Sequence, residues 1–134
     1  MPGAATTHAE SNRLIYVVDD EEVLLETAEV ALLAEGYALK KFRCPQAALD
    51  SFTQETPKPS LLVTDYAMSP MDGIELSTKC KSAHPGLKIM LVSGTAGPEI
   101  VLQSPVAVDK FMQKPYKLAE LASTVRSLLD VSPV

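Results

Sequence analysis

Only two cysteines occur in the 134 residues. Cys44 and Cys80 stand at a helix-flanking and a helical position rather than in a metal-ligand spacing, so they read as structural thiols of a reduced intracellular protein. Basic clusters are missing too: the net charge is -5 and the pI near 5.0, and no run of Lys and Arg supplies the footprint by which phosphate backbones are bound. A direct nucleic-acid partner is therefore not expected. No apolar stretch approaches the ~20 residues of a membrane helix. The opening Met-Pro-Gly-Ala-Ala-Thr-Thr-His-Ala-Glu has neither the basic nor the apolar region of a signal peptide. The expectation is a cytoplasmic protein with no membrane partner. Internal repeats are absent, and low complexity is confined to the first dozen residues. With 46% hydrophobic residues, the chain is one domain's worth of protein, large enough to bury a core without covalent staples.

The informative feature is where the polar residues fall. Four short apolar runs end in chemically capable groups: Leu14-Ile-Tyr-Val-Val18 in Asp19-Asp20, Leu61-Leu-Val-Thr64 in Asp65, Ile89-Met-Leu-Val92 in Ser93, and Phe111-Met-Gln113 in Lys114-Pro115. Each run has the length of a buried strand. If the strands are parallel and adjacent, these groups meet in one crevice at the carboxyl end of the sheet, where open α/β folds bind their ligands. Three carboxylates would face one ammonium there, a balance that a divalent cation would complete.

Between the strands the pattern turns helical. Leu24, Ala28, Ala31 and Leu32 lie on one helical face, with Glu21 and Glu22 complementing the positive end of the dipole and Gly36 stopping the helix. Tyr37 to Phe42 reads as a second strand, placed at an edge by Lys40 and Lys41. Pro45 opens a short helix through Leu49 and Phe52, and Thr53 to Ser60 is a loop. A third helix carries Ile74, Leu76, Cys80 and Ala83 inward, with Asp72 as its cap. Gly94, Gly97, Pro98 and Pro105 leave room for only a short fourth helix around Glu99 to Gln103. Lys117 to about Leu129 forms the last, with Leu118, Leu121, Val125 and Leu128 at helical spacing. Strand and helix alternate five times, which implies a parallel sheet covered on both faces by right-handed crossovers.

Asp19-Asp20, Asp65 with Met68 and Met71-Asp72-Gly73 behind it, Ser93-Gly94 and Lys114-Pro115, in this order and at these strand ends, resemble the receiver domain of bacterial response regulators. The resemblance covers residues 13 to 130, between tails at 1–12 and 131–134. It implies a flavodoxin-like α/β fold, a doubly wound five-stranded sheet of order 2-1-3-4-5. It also implies a signalling domain rather than an enzyme: a two-component phosphorelay element that takes a phosphoryl group from a sensor histidine kinase or histidine phosphotransfer protein. By the same resemblance Asp65 is the phosphoacceptor. Asp20 and Asp65 bind Mg2+ directly, Asp19 does so through water, and the Ala67 backbone carbonyl supplies a further ligand. Lys114 pairs with a phosphoryl oxygen, the Ser93 hydroxyl donates to another, and Ser93 and Phe111 form the switch.

The chemistry accounts for these residue types. A carboxylate is a poor nucleophile toward an anionic donor unless charge is screened and the reactants are held in line. A hard cation with oxygen ligands does this. Output is expected to pass through the short fourth helix, the fifth strand and the last helix to another protein, from a monomer or a phosphorylation-dependent dimer, with the chain either standing alone or belonging to a longer regulator or hybrid kinase. Two alternatives stand beside this reading. A pseudo-receiver would use the fold for binding without phosphorylation. An aspartate-nucleophile phosphohydrolase would carry a second Asp two residues after the nucleophile, where this chain has Ala67. Two departures from the family pattern are Ser69 intervening before Pro70 and the interrupted segment after Ser93.

Overall fold

The computed structural model describes residues 13–129; the two expected tails and residue 130 lie outside them. The chain runs β1 (Leu14–Val18), α1 (Glu22–Ala34), β2 (Ala38–Phe42), α2 (Pro45–Gln54), β3 (Leu61–Asp65), α3 (Gly73–Ala83), β4 (Lys88–Ser93), α4 (Glu99–Leu102), β5 (Lys110–Gln113) and α5 (Leu118–Leu129). The strands form one parallel sheet in the order β2-β1-β3-β4-β5.

Side chains of successive strand residues point to opposite faces, and here both faces are covered, so the inner strands read as unbroken apolar runs. Ile15, Val17, Val63, Met90 and Val92 share one core with Leu25, Ala28 and Leu32 of α1 and Leu121, Val125 and Leu129 of α5. Tyr16, Val18, Leu62 and Ile89 share the other with Ala48 and Phe52 of α2 and Leu76 and Cys80 of α3. Burial pushes the Cys80 thiol up to about 12, as an inert structural thiol requires, whereas Cys44 is exposed. Edge strand β2 carries Lys40 and Lys41 to Glu55 and Glu29.

The helix ends follow local chemistry. Pro45 takes the first turn of α2, and Gly36 follows α1 with φ of 94°, a conformation open to glycine but strained for other residues. Asp72 caps α3 by accepting from the Glu75 N–H at 2.8 Å. Asp72→Ala is therefore expected to cost ~1 kcal/mol, read as a lower urea midpoint with an unchanged slope.

Some expected faces shift by a residue. In the first turn of α1 Leu25 is buried and Leu24 half-buried; Ala83 is exposed at the end of α3, and Leu118 is 43% exposed in α5, where Ala122 and Leu129 take the inward positions. Strand β2 starts at Ala38, although Tyr37 is buried, and α2 extends to Gln54 into the expected loop. The short fourth helix is a single turn, Glu99–Leu102.

Candidate functional site

The sheet's hydrogen-bond ladder does not stop where the strands do. The Asp19 N–H donates to the Phe42 carbonyl at 3.0 Å, the Tyr66 N–H to Val92 at 2.8 Å, and the Lys114 N–H to Ser93 at 2.8 Å. Asp19, Asp65 and Lys114 thus leave the carboxyl edge from backbone that is still tethered to its neighbours. Side chains set on such backbone have little freedom to drift apart.

They converge. The Lys114 ammonium lies 2.9 Å from Asp19 Oδ2 and 3.4 Å from Asp65 Oδ1, and all three side chains are largely buried, at 13%, 7% and 7% exposed. The same nitrogen meets Glu21 Oε1 at 3.1 Å. Asp19 Oδ1 also accepts from the Glu21 N–H at 2.9 Å. Asp20 is exposed beside them. Carboxylate oxygens of Asp19, Asp20 and Glu21 all lie within 4.8 Å of one another.

Burial first, and then the charge of Asp19, push the Asp65 carboxyl up to about 6, with Lys114 working in the opposite direction. Burial also raises Asp19, although the Glu21 N–H and Lys114 limit the rise. Burial disfavours the charged form of Lys114, but its bonds to Asp19 and Glu21 and the fields of Asp19 and Asp65 outweigh this and hold the ammonium above its ordinary range. The cluster has more carboxylate than one ammonium neutralises. That excess, in hard oxygen donors, fits a divalent cation of the magnesium type.

Gly73 keeps Asp65 in place by its lack of a side chain. A Cβ there would stand 2.2 Å from the Asp65 carbonyl oxygen. The loop between them closes through the Gly73 N–H, which donates to Tyr66 at 2.8 Å. Met71 is buried within this loop, so the displaced Pro70 leaves the loop anchored. Ala67, Met68 and Ser69 line an open cleft of about 410 Å³ together with Asp20, Arg43 and Pro45. Arg43 donates to the Asp20 carbonyl at 3.1 Å, which ties the β2–α2 turn to the acidic loop.

Ser93 is fully buried, and its Oγ accepts from the N–H groups of Thr95 at 3.3 Å and Ala96 at 2.9 Å. Both bonds use the oxygen as acceptor, so the hydroxyl proton is free to be donated. Phe111 is half-buried on β5 and belongs to neither core. Two site residues go beyond the sequence expectations. Glu21, expected to be a dipole partner of α1, reaches Lys114 with its carboxylate. Tyr116, which packs against the α1/α5 core, has its phenol raised by burial and then by Asp19, Lys114 working against the shift. An aromatic two residues past the lysine was the available signal.

The model of the response regulator receiver domain matches residues 15–126. The chain belongs to the response regulator receiver domain family. CpdR, a response regulator receiver protein of Brucella abortus, is 33% identical over 116 residues, covering 86% of this chain and 95% of CpdR. The sensor kinase CckA of the same organism is 28% identical over 125 residues, 92% of this chain but 13% of CckA. The probable transcriptional regulatory protein TcrX of Mycobacterium tuberculosis is 28% identical over 86% of this chain and 49% of its own length. The chain thus spans about half of TcrX and a small part of CckA. Among solved structures, the CheY-like receiver domain protein of Methanospirillum hungatei superposes with a TM-score of 0.79 at 26% identity, covering 89% of this chain and 94% of that one. The receiver domain therefore has the flavodoxin-like fold that its strand order indicates, and it is a signalling domain of two-component systems. Among the described residues no helix is long and apolar enough to cross a membrane.

Proposed function

We propose that this receiver domain accepts a phosphoryl group on Asp65 from a phosphohistidine, carried by a sensor kinase or a histidine phosphotransfer protein, and signals by a change of shape. The observation that carries this reading is the buried Asp19–Lys114–Asp65 cluster, with the ammonium 2.9 and 3.4 Å from the two carboxylates. An Asp65 oxygen attacks phosphorus in line, the bond from phosphorus to the donor's imidazole nitrogen breaks, and a mixed anhydride forms. The Lys114 ammonium turns to pair with a phosphoryl oxygen and keeps its proton, and the Ser93 hydroxyl donates to another. Asp20, Asp65 and the Ala67 carbonyl would hold magnesium, with Asp19 acting through water; when bound, the ion neutralises phosphoryl charge.

The signal leaves through Ser93 and Phe111. A hydroxyl drawn toward the phosphoryl group vacates space, and a half-buried ring on the adjoining strand turns to fill it. A difference of only a few kcal/mol between the two arrangements is enough for phosphorylation to shift the population. Phe111 has no hydroxyl, so the partner reads packing on the surface of α4, β5 and α5. That partner is another protein, not nucleic acid or membrane. The domain spans 13–130, works in the cytoplasm, and is a monomer or dimerises on phosphorylation.

The test is intact-mass analysis after incubation with acetyl phosphate and magnesium. One added phosphate is expected on the wild type, none on Asp65→Asn, and none when the metal is chelated. No adduct on the wild type would favour the pseudo-receiver. Continuous turnover of phosphate esters would favour the hydrolase, a reading already weakened by Ala67 standing where that chemistry needs an acid.

A further inference from the structure

Glu21 is the first position before α1, where an acidic residue ordinarily caps the helix or complements its dipole. Its side chain caps nothing. It crosses instead to Lys114, 93 positions later, and meets the ammonium at 3.1 Å, closer than Asp65 does at 3.4 Å. Its neighbour Glu22 lies 3.6 Å from Arg43. Glu21 is also 63% exposed while its two competitors for Lys114 are 7% exposed. Of the three, it alone can exchange Lys114 for water without leaving a buried charge behind.

Resting on the Asp65 reading above, we propose that Glu21 is a positioning residue that holds Lys114 in the unphosphorylated state and slows phosphoryl arrival at Asp65. Two effects act in the same direction. Lys114 must exchange Glu21 for a phosphoryl oxygen before the product is stabilised. The Glu21 carboxylate, within 4.8 Å of those of Asp19 and Asp20, also adds negative charge on the path of a multiply charged donor. A unit charge several ångströms from a dianion, in a partly aqueous setting and reduced by salt, alters a rate by about 3- to 10-fold.

The experiment follows phosphorylation of the full chain by acetyl phosphate with intact-mass time courses at saturating magnesium. Wild type, Glu21→Gln, Glu21→Asp and Asp65→Asn are compared at about 20 mM and about 0.5 M ionic strength, the second of which screens exposed charges. Glu21→Gln is expected to accept the phosphoryl group about 3- to 10-fold faster at low salt, with the gain collapsing at high salt, and Glu21→Asp to fall between it and the wild type. A purely structural role would not produce that salt dependence. Melting temperatures of the exposed-site variants are expected to match the wild type. An unchanged or slower rate in Glu21→Gln at low salt, or a gain that salt does not diminish, overturns the proposal. An adduct that Asp65→Asn abolishes and Glu21 leaves unaffected defeats this inference alone, whereas no adduct on the wild type defeats the Asp65 reading as well.

Discussion

Gly73→Ala is expected to lower the unfolding free energy by about 2–4 kcal/mol and to slow phosphoryl acceptance at Asp65. The cause is space, since Gly73 does not have positive φ. An added Cβ would lie 2.2 Å from the Asp65 carbonyl oxygen, 3.0 Å from its carbonyl carbon and 3.0 Å from Leu91 Cδ1. Two of these three atoms are backbone of the central strand, which no rotamer change can move. Nor can the helix simply retreat, because the Gly73 N–H that opens it donates to the Tyr66 carbonyl at 2.8 Å. Relief must come from shifting Asp65 itself. Gly94→Ala is the control: its Cβ would meet the Lys114 stem at 3.6 Å, ordinary contact, so a change within about 0.5 kcal/mol is expected. Urea denaturation of both variants checks the pair, and a Gly73→Ala midpoint equal to that of Gly94→Ala would contradict the account.

Lys114→Met should be the most costly change within the site itself, by about 2–4 kcal/mol at pH 8. It leaves Asp19 and Asp65 buried with no ammonium between them. The sign with pH follows from the wild-type carboxyl at about 6. A carboxyl whose pKa is higher in the folded than in the unfolded chain holds its proton better when folded. Its contribution to stability is complete below pH ~4 and is lost as pH rises through its folded value. Taking away Lys114 raises Asp65 and Asp19 further and carries that loss to higher pH. The deficit relative to wild type should be small near pH 4 and largest above pH 7. Magnesium should raise the melting temperature of Lys114→Met more than that of the wild type, because a cation then replaces the missing positive charge. A deficit that stays constant across pH 4–8 would show that packing, not charge, is what Lys114 contributes.

The strand ends were legible in the sequence for a specific reason. With helices on both faces, β1, β3 and β4 are apolar over most of their length, Thr64 and Lys88 being the exceptions, and the polar groups at their carboxyl ends mark the edge of the sheet. Asp19, Asp65 and Ser93 stand out against that background, and the parallel order brings them together. Helix faces were legible only to within a residue. Leu24 and Leu25 are chemically equal, and which one is buried depends on how α1 rolls against α5, a tertiary matter. Ala83 and Leu118 fit the period but lie at helix ends that overhang the core.

Glu21 was hidden by a competing local rule. An acid at the start of a helix has a sufficient explanation in the dipole, and nothing within a few residues indicates that the loop after β5 passes beside it. Only the juxtaposition of the β1 and β5 ends reveals its contact with Lys114. Ser93 illustrates the opposite case: its place at the end of an apolar run was legible, and the structure adds the turn that it begins by accepting from Thr95 and Ala96.

Delivery of a phosphoryl group to one particular carboxylate at this edge is read by trapping the acyl phosphate. After incubation with acetyl phosphate and magnesium, borohydride reduction converts a phosphorylated aspartate to homoserine, and peptide mass mapping locates it. Homoserine is expected at position 65 and none at 19 or 20. Modification at another acid, or none under conditions that label a known receiver domain, would contradict it.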